Sequence, residues 1–197
     1  MDNLEKFIFY EKIFNDDELS QLLKCASNSM MKRKKDTYSS NISWQKGNRN
    51  VSFDFNLGNF NYDKIIHRYV LSMSDKYKMH LINLFYNYNY CPDEKITKYD
   101  KNDMYQWHND LLFGEKGIRV LSSITYLNDD YTGGETQFLG KTITPQKGNT
   151  LIFPSHWIFP HQGNSVITGN KLIYVCHFWL SLLKNNNTKD YFSIKYD

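Results

Sequence analysis

Proline is scarce in this chain, 4 residues in 197, and glycine is modest at 10. Collagen-like and Pro/Gly-rich low-complexity polypeptides are thereby excluded. Cysteine is sparse too. Cys25, Cys91 and Cys176 are odd in number, widely spaced and form no C-x-x-C pair. Neither a disulfide framework nor a cysteine zinc site is supported, and reduced thiols are expected. No apolar run approaches the ~18 residues of a membrane span. The opening M-D-N-L-E-K lacks the basic-then-apolar order of a secretory signal. These absences point to an intracellular, cytoplasmic protein with no membrane partner. An excess of one charge is also missing: 24 Lys and Arg stand against 21 Asp and Glu, a net +3, so no general attraction to nucleic acid is expected.

Aromatics, by contrast, are abundant, with 15 Tyr, 13 Phe and 4 Trp. Such residues favour pleated, half-buried surfaces and argue for a strand-rich globular chain. The length suits one domain with a sizeable core. Little proline with plentiful Asn, Lys and Tyr also fits an AT-rich genome, such as that of a phage or other virus.

Residues 6–14 are apolar and aromatic and read as a first strand. Asn15 then offers an N-cap before Asp16, Asp17 and Glu18, and Leu19, Leu22, Leu23 and Ala26 recur at helical spacing. A helix over 16–27 is predicted. Residues 31–43, which hold Lys32-Arg33-Lys34-Lys35, read as a solvated loop. A short strand is expected at 50–55. Tyr62, Ile65, Ile66, Tyr69, Val70 and Met73 fit one face of a helix over about 59–77. His67 and His80 lack a neighbouring carboxylate or second His and read as surface or packing residues. From residue 84 on, short strands are predicted at 84–90, 95–99, 104–108, 118–127, 136–139, 141–144, 150–153, 164–167 and 171–180. Turns are expected between them, among them Cys91-Pro92-Asp93 and Gly133-Gly134. Many short strands at even spacing argue for a jelly-roll-type sandwich or barrel. The organisation is therefore one domain over 1–197: a helical support region at about 1–83, a jelly-roll core at about 84–183 and a polar tail at 184–197. The fold class is mainly β with N-terminal helices (α+β), the helices packed on one sheet.

Chemistry concentrates in Y-D-K-N-D-M-Y-Q-W-H-N-D, which ends at Asp110. His108 and Asp110 are two residues apart and share one side of an extended chain. One imidazole and one carboxylate can thus reach a common metal. A second histidine, His161, stands ten residues before Lys171. Two histidines and one carboxylate with open positions opposite is the donor set of non-haem Fe(II) oxygenases. His156, five residues before His161, is a rival for its place.

Over roughly residues 84–180 the chain resembles the prolyl 4-hydroxylase-like branch of the 2-oxoglutarate and Fe(II)-dependent dioxygenases. Tyr99 and Tyr105 precede His108 by nine and three residues, as in that family's Y…Y..HxD pattern. Gly133-Gly134-Glu135-Thr136 with Phe138 matches its GGET-x-F turn, and Pro145-x-Lys147-Gly148 leads into Leu151-Ile152-Phe153-Pro154. The resemblance implies a double-stranded β-helix (jelly-roll, cupin-like) core and catalysis through His108, Asp110 and His161 as metal ligands. It implies Lys171 as partner of the distal 2-oxoglutarate carboxylate, with Tyr99 and Tyr126 as hydroxyl donors to it. Fe(II), 2-oxoglutarate and O2 are the implied cofactors, with ascorbate as a supporting reductant. Asp110 favours hydroxylation over halogenation, since the related halogenating branch lacks the carboxylate.

Some positions depart from the family pattern. Asp100-Lys101-Asn102-Asp103 lacks a usual Gly, Trp107 stands where Pro is common, and His177 stands where the prolyl enzymes carry Trp. A peptide substrate, with peptidyl proline first, is implied by the resemblance; another peptidyl residue or a small molecule is the alternative. Nucleic acid is disfavoured, because the demethylase branch carries Arg at the positions of Lys171 and His177. A non-catalytic jelly-roll metal-binding module and a hydrolytic zinc site are further alternatives; the first has no need of open metal positions, and the second leaves Lys171 unexplained.

Overall fold

The computed structural model describes residues 4–29, 31–37, 45–52, 57 and 60–184. A 3-10 turn at Glu5–Phe7 leads into β1 (Phe9–Lys12), then α1 (Asp16–Asn28), β2 (Lys32–Thr37), β3 (Gln45–Ser52), α2 (Asp63–Ser72) and α3 (Asp75–Asn87). The remaining elements are strands: β4 (Tyr88–Tyr99), β5 (Met104–His108), β6 (Phe113–Gly114), β7 (Gly117–Tyr126), β8 (Thr132–Gly133) and β9 (Thr136–Phe138) come first. They are followed by β10 (Lys141–Ile143), β11 (Asn149–Pro154), β12 (His161–Gly163), β13 (Val166–Thr168) and β14 (Lys171–Lys184). The main ladder runs β1-β11-β7-β14-β4-β3-β5-β12-β9-β10, with every neighbouring pair antiparallel. This is the mainly β, jelly-roll architecture with helices that the sequence implies.

Strand β14 explains the layering. It pairs with β4 on one side and β7 on the other. Tyr174, Cys176, Phe178 and Leu180 join a core with Leu22 of α1 and Ile65, Ile66, Tyr69 and Val70 of α2. Ile173 and Val175 face the opposite way, into a second core with Tyr99, Tyr126, Leu151 and Phe153. Because both faces are covered, β14 reads as a continuous apolar run. The second core lies between the layers and forms the floor of the site.

Several boundaries differ from the sequence expectations, each for a local reason. The first strand is shorter than 6–14, because its start closes into the 3-10 turn. Helix α1 begins where predicted, and Asn15 and Glu18 close a reciprocal capping box. The helix predicted over 59–77 is two helices. Met73 is extended, and the Ser74 carbonyl accepts from the Tyr77 and Lys78 amides, so Ser74-Asp75 restarts the chain as a new N-terminus. His80 consequently sits inside α3. The strand predicted at 84–90 is mostly the end of α3: Tyr77, Leu81, Leu84 and Phe85 pack at helical spacing against the helix-side core. Cys91-Pro92-Asp93 is no turn but part of β4, opposite Trp179, Phe178 and His177. Pro92 is tolerated because, among the described residues, β3 covers β4 only at 96–98. The basic run Lys32–Lys35 forms strand β2, not a loop, and among the described residues pairs with β3. The strand expected at 50–55 is displaced to Gln45–Ser52, and residues 53–56 lie outside the described ones. Beyond Lys184 the expected tail also lies outside the described residues. Among the described residues no helix is long and apolar enough to cross a membrane.

Candidate active site

Strand β5 carries alternate residues to opposite sides. Trp107 points outward and is 43% exposed, whereas the neighbouring His108 side chain is turned inward and buried. Strand β12 pairs antiparallel with β5 so that His161 lies opposite His108. Asp110 follows two residues after His108 and completes the group. His108 Nε2 is 3.6 Å from Asp110 Oδ1, and His161 Nε2 is 3.7 Å from Asp110 Oδ2. These three residues form the one His/Cys/Asp/Glu cluster suited to a metal among the described residues, with ligand atoms within 4.8 Å of one another. His67, His80 and the exposed His156 stand apart from it.

The backbone sets the tautomers. His108 Nδ1 donates to the Gln106 carbonyl at 2.7 Å, and His161 Nδ1 donates to the Phe159 carbonyl at 3.1 Å. Each Nε2 therefore presents a lone pair to the cluster, which is how protein partners orient metal-binding imidazoles. Burial, reinforced by the adjacent His161, pushes the His108 imidazole down to about 3, so it is neutral near pH 7. For Asp110, burial alone would raise the carboxyl. The surrounding His177, His161, His108 and Lys95 outweigh it and hold the carboxyl below the usual carboxylate range. Two imidazoles with Nε2 turned inward and an ionised carboxylate fit a divalent cation. The three side chains stand close enough together for one ion to be held between them.

A cleft of about 480 Å³ opens beside the cluster. Along its floor, paired strands bring side chains into rows: Tyr99 beside Lys171, Thr97 beside Ile173, and Lys95 beside Val175 and Ile124. Lys171 is buried and its Nζ donates to the Gly134 carbonyl at 2.7 Å. The ammonium also stands 5.3 Å and 5.5 Å from the ring centres of Tyr99 and Tyr126. Burial pushes Lys171 down to about 7, with Glu135 acting in the opposite sense. Such a lysine gains from an anionic ligand. Thr97 Oγ1 and His177 Nε2, both on cleft-lining residues, are buried without a hydrogen-bond partner. Unsatisfied polar atoms of this kind fit a site that receives a polar ligand.

The structure thus brings together His108, Asp110, His161, Lys171 and Tyr99. Tyr126 stands behind the cleft: it is fully buried, and its hydroxyl shares a 2.7 Å hydrogen bond with Thr136 Oγ1. Thr136 lines the cleft in front of it. Thr136, Thr97, Lys95 and Arg49 are cleft residues that the sequence reading missed. Lys95 and Thr97 were legible, because they stand four and two residues before Tyr99 and so share its strand face. Arg49 was not; it arrives from β3 and stacks on Tyr105 with 3.9 Å between guanidinium carbon and ring centre. His177 lies beneath the cluster, its Nδ1 3.1 Å from Ser122 Oγ and 3.8 Å from Asp110 Oδ2.

Residues 95–180 match the model of the 2OG-Fe(II) oxygenase superfamily, which encloses the whole cluster and Lys171. A match to that superfamily implies a 2-oxoglutarate- and Fe(II)-dependent dioxygenase, with Fe(II), 2-oxoglutarate and O2 as its cofactors. The oxygenase fold is shared with solved prolyl hydroxylases. The viral collagen prolyl hydroxylase from Paramecium Bursaria Chlorella virus-1, in its 2OG complex, is 17% identical, with a TM-score of 0.55 over 90% of this chain and 97% of that one. A Pseudomonas putida prolyl-4-hydroxylase is 17% identical, with a TM-score of 0.56 over 88% and 92%. A Trichoplax adhaerens prolyl hydroxylase, solved with a hypoxia inducible factor peptide fragment, is 16% identical, with a TM-score of 0.56 over 89% and 84%. No curated protein matches the chain by sequence.

Proposed function

We propose that this oxygenase hydroxylates an unactivated C–H bond, most favourably in a peptidyl proline, with succinate and CO2 as coproducts. His108, Asp110 and His161 would hold the iron, and Lys171 with Tyr99 would hold the distal carboxylate of 2-oxoglutarate. The carrying observation is the inward-facing His-Asp-His cluster at one end of a cleft whose floor presents the buried Lys171. O2 supplies the oxidising power for the hydroxylation; iron and 2-oxoglutarate, when bound, would activate it, 2-oxoglutarate giving up two electrons as it becomes succinate and CO2. The chain supplies position and shielding. Gln106 and Phe159 carbonyls fix the ring tautomers, and Phe138 and Phe153 pack on His161 at 5.5 Å and 4.7 Å between ring centres, which limits water there. Thr136, whose oxygen is tied to Tyr126, shapes the wall near Lys171.

Peptidyl proline is supported by the shared fold with prolyl hydroxylases, one of them solved with a peptide. We read the chain as one catalytic domain at work in the cytoplasm, its N-terminal helices supporting the sheet and ascorbate sustaining turnover. Anaerobic titration of the apoprotein with Fe(II) and 2-oxoglutarate tests the proposal. A weak visible charge-transfer band is expected, lost on Lys171→Met, followed by succinate release when O2 and proline peptides are added. Metal binding with no band would remove the cosubstrate assignment.

A further inference from the structure

The floor of the cleft carries a second lysine. Lys95 of β4 is the register partner of Val175 on β14, while Tyr99 of β4 is the partner of Lys171. The two lysines therefore stand on one sheet face, four residues apart along the strands, or about 13 Å between backbones. Lys171 lies at the Gly134 end of the cleft. Lys95 lines the same cleft toward the end held by Asp110.

Lys95 makes no hydrogen bond or ion pair with any described residue. The charges that face it are Arg49 and Arg119, which repel it, and Asp110 and Asp93, which attract it. Asp93 is already engaged by Arg119 at 3.3 Å and Lys116 at 3.9 Å. Asp110 belongs to the metal cluster. A half-buried ammonium in that setting calls for an anion that arrives with a ligand.

The cosubstrate does not supply it. 2-Oxoglutarate has two carboxylates, one for Lys171 and one for the metal, and no third. With iron(II) and the cosubstrate dianion cancelling, and Lys171 balanced by Asp110, Lys95 adds a positive charge to the cleft beside that of Arg49. Resting on the oxygenase reading of this site, we propose that the substrate itself carries a carboxylate beside the carbon to be hydroxylated, and that Lys95 binds it. Val175 and Ile124 stand in the same cross-strand row as Lys95 and offer an apolar wall to the carbon skeleton next to that carboxylate. Two sources share this chemistry: an acidic residue flanking a peptidyl proline, and the α-carboxylate of free proline.

The test uses the full chain loaded anaerobically with Fe(II) and 2-oxoglutarate. Its visible band is read before any probe is added. Matched pairs are then titrated: L-proline against L-prolinamide, and end-blocked Glu-Pro-Gly against end-blocked Gln-Pro-Gly. Binding is followed by perturbation of the band, and succinate release is measured after O2 is admitted. A charge-assisted contact predicts that the carboxylate member of at least one pair binds about tenfold to a hundredfold more tightly than its amide twin. Lys95→Met should reduce that ratio below about threefold, and Lys95→Arg should retain most of it. Preference in the proline pair identifies an α-carboxylate; preference in the peptide pair identifies an acidic side chain. Equal binding of the twins, or binding by no member, overturns the proposal. So does a tenfold loss of 2-oxoglutarate affinity in Lys95→Met, which would assign Lys95 to the cosubstrate. Absence of the band in the unsubstituted protein sinks the oxygenase reading itself, and this inference with it.

Discussion

His108 and His161 are cross-strand partners. Their backbones are in register across β5 and β12, and their rings stand 4.2 Å apart between centres. Two histidines far apart in sequence are thus fixed by one antiparallel ladder, while Asp110 comes from the chain just past the end of β5. A one-residue slip in that ladder would turn either imidazole to the opposite face. The rigidity of the pair is therefore set by pairing on both sides of β12, since β9 holds its other edge.

Asp110 lies outside any strand, and its loss should be decisive. Asp110→Ala leaves both imidazoles in place but removes the only carboxylate of the cluster. Fe(II) affinity and turnover should each fall by more than about a hundredfold, beyond the 10–100-fold typical of losing an outer-shell partner. Anaerobic metal titration and succinate release measure the two effects separately. Full turnover in the variant would exclude Asp110 as a ligand.

The legibility of this chain followed from how local each feature is. The His108-x-Asp110 pair and the Gly133-Gly134 bend are short-range patterns: His108 and Asp110 meet in one cluster, and both glycines take positive φ. The alternation of Leu172, Tyr174, Cys176 and Phe178 against Ile173 and Val175 announced a strand covered on both faces, as observed. The segment at 84–90 misled because its aromatics alternate like a strand, yet Tyr77, Leu81 and Phe85 also recur every fourth residue; packing against the sheet decides for the helix. The hydrogen-bond partner of Tyr126 was hidden for a different reason. Its hydroxyl is held by Thr136, ten residues on, and no sequence period reports that contact. Arg49 reaches the cleft only because β3 bridges β4 and β5, a pairing between segments more than forty residues apart.

The turn that holds Lys171 should be sensitive to a single methyl group. Gly134 has φ +69°, and a Cβ there would stand 3.1 Å from the Tyr131 ring and 3.2 Å from Lys171 Cδ. Gly140 has φ +88° but nothing within 4 Å of such a Cβ. Both Gly→Ala changes carry the left-handed backbone cost of about 1–2 kcal/mol. Only Gly134→Ala should also shift Lys171 and weaken 2-oxoglutarate binding several-fold. Thermal melts and cosubstrate titration of the two variants separate backbone strain from displacement of the lysine; equal cosubstrate affinity in both would refute the coupling.

Helix α1 tests the capping assignment independently of the site. Asn15 Oδ1 accepts from the Glu18 amide at 2.9 Å, and Glu18 Oε2 accepts from the Asn15 amide at 2.9 Å. Asn15→Ala should lower stability by about 1 kcal/mol without altering cosubstrate affinity. Lys64 also reaches Glu18 Oε1, so Glu18→Ala should cost more than Asn15→Ala. Denaturant midpoints of the two variants order the effects, and the reverse order would contradict the shared role of Glu18.

Lys171 should trade stability for binding, in a pH-dependent way. Burial pushes its ammonium from 10.5 down to about 7 in the folded protein. Between those values the unfolded chain binds more protons than the folded one, so this group makes the apoprotein more stable as pH rises from about 7 toward 10.5. That stability is lost as pH falls back through about 7. Lys95, pushed down to about 8 chiefly by burial and next by Arg49, contributes a slope of the same sign over a narrower range. Lys171→Met should therefore raise the stability of the apoprotein near pH 7 by about 1–4 kcal/mol and leave only a shallower rise with pH. Binding runs the other way. The 2-oxoglutarate carboxylate requires the charged lysine, so the complex takes up a proton above pH 7, and affinity should fall by up to about tenfold per pH unit between pH 7 and 9. Calorimetric titration in buffers of differing ionisation enthalpy counts that proton. A cosubstrate affinity flat across this range, together with a Lys171→Met protein no more stable than the parent, would show that Lys171 is already charged and paired before the cosubstrate arrives.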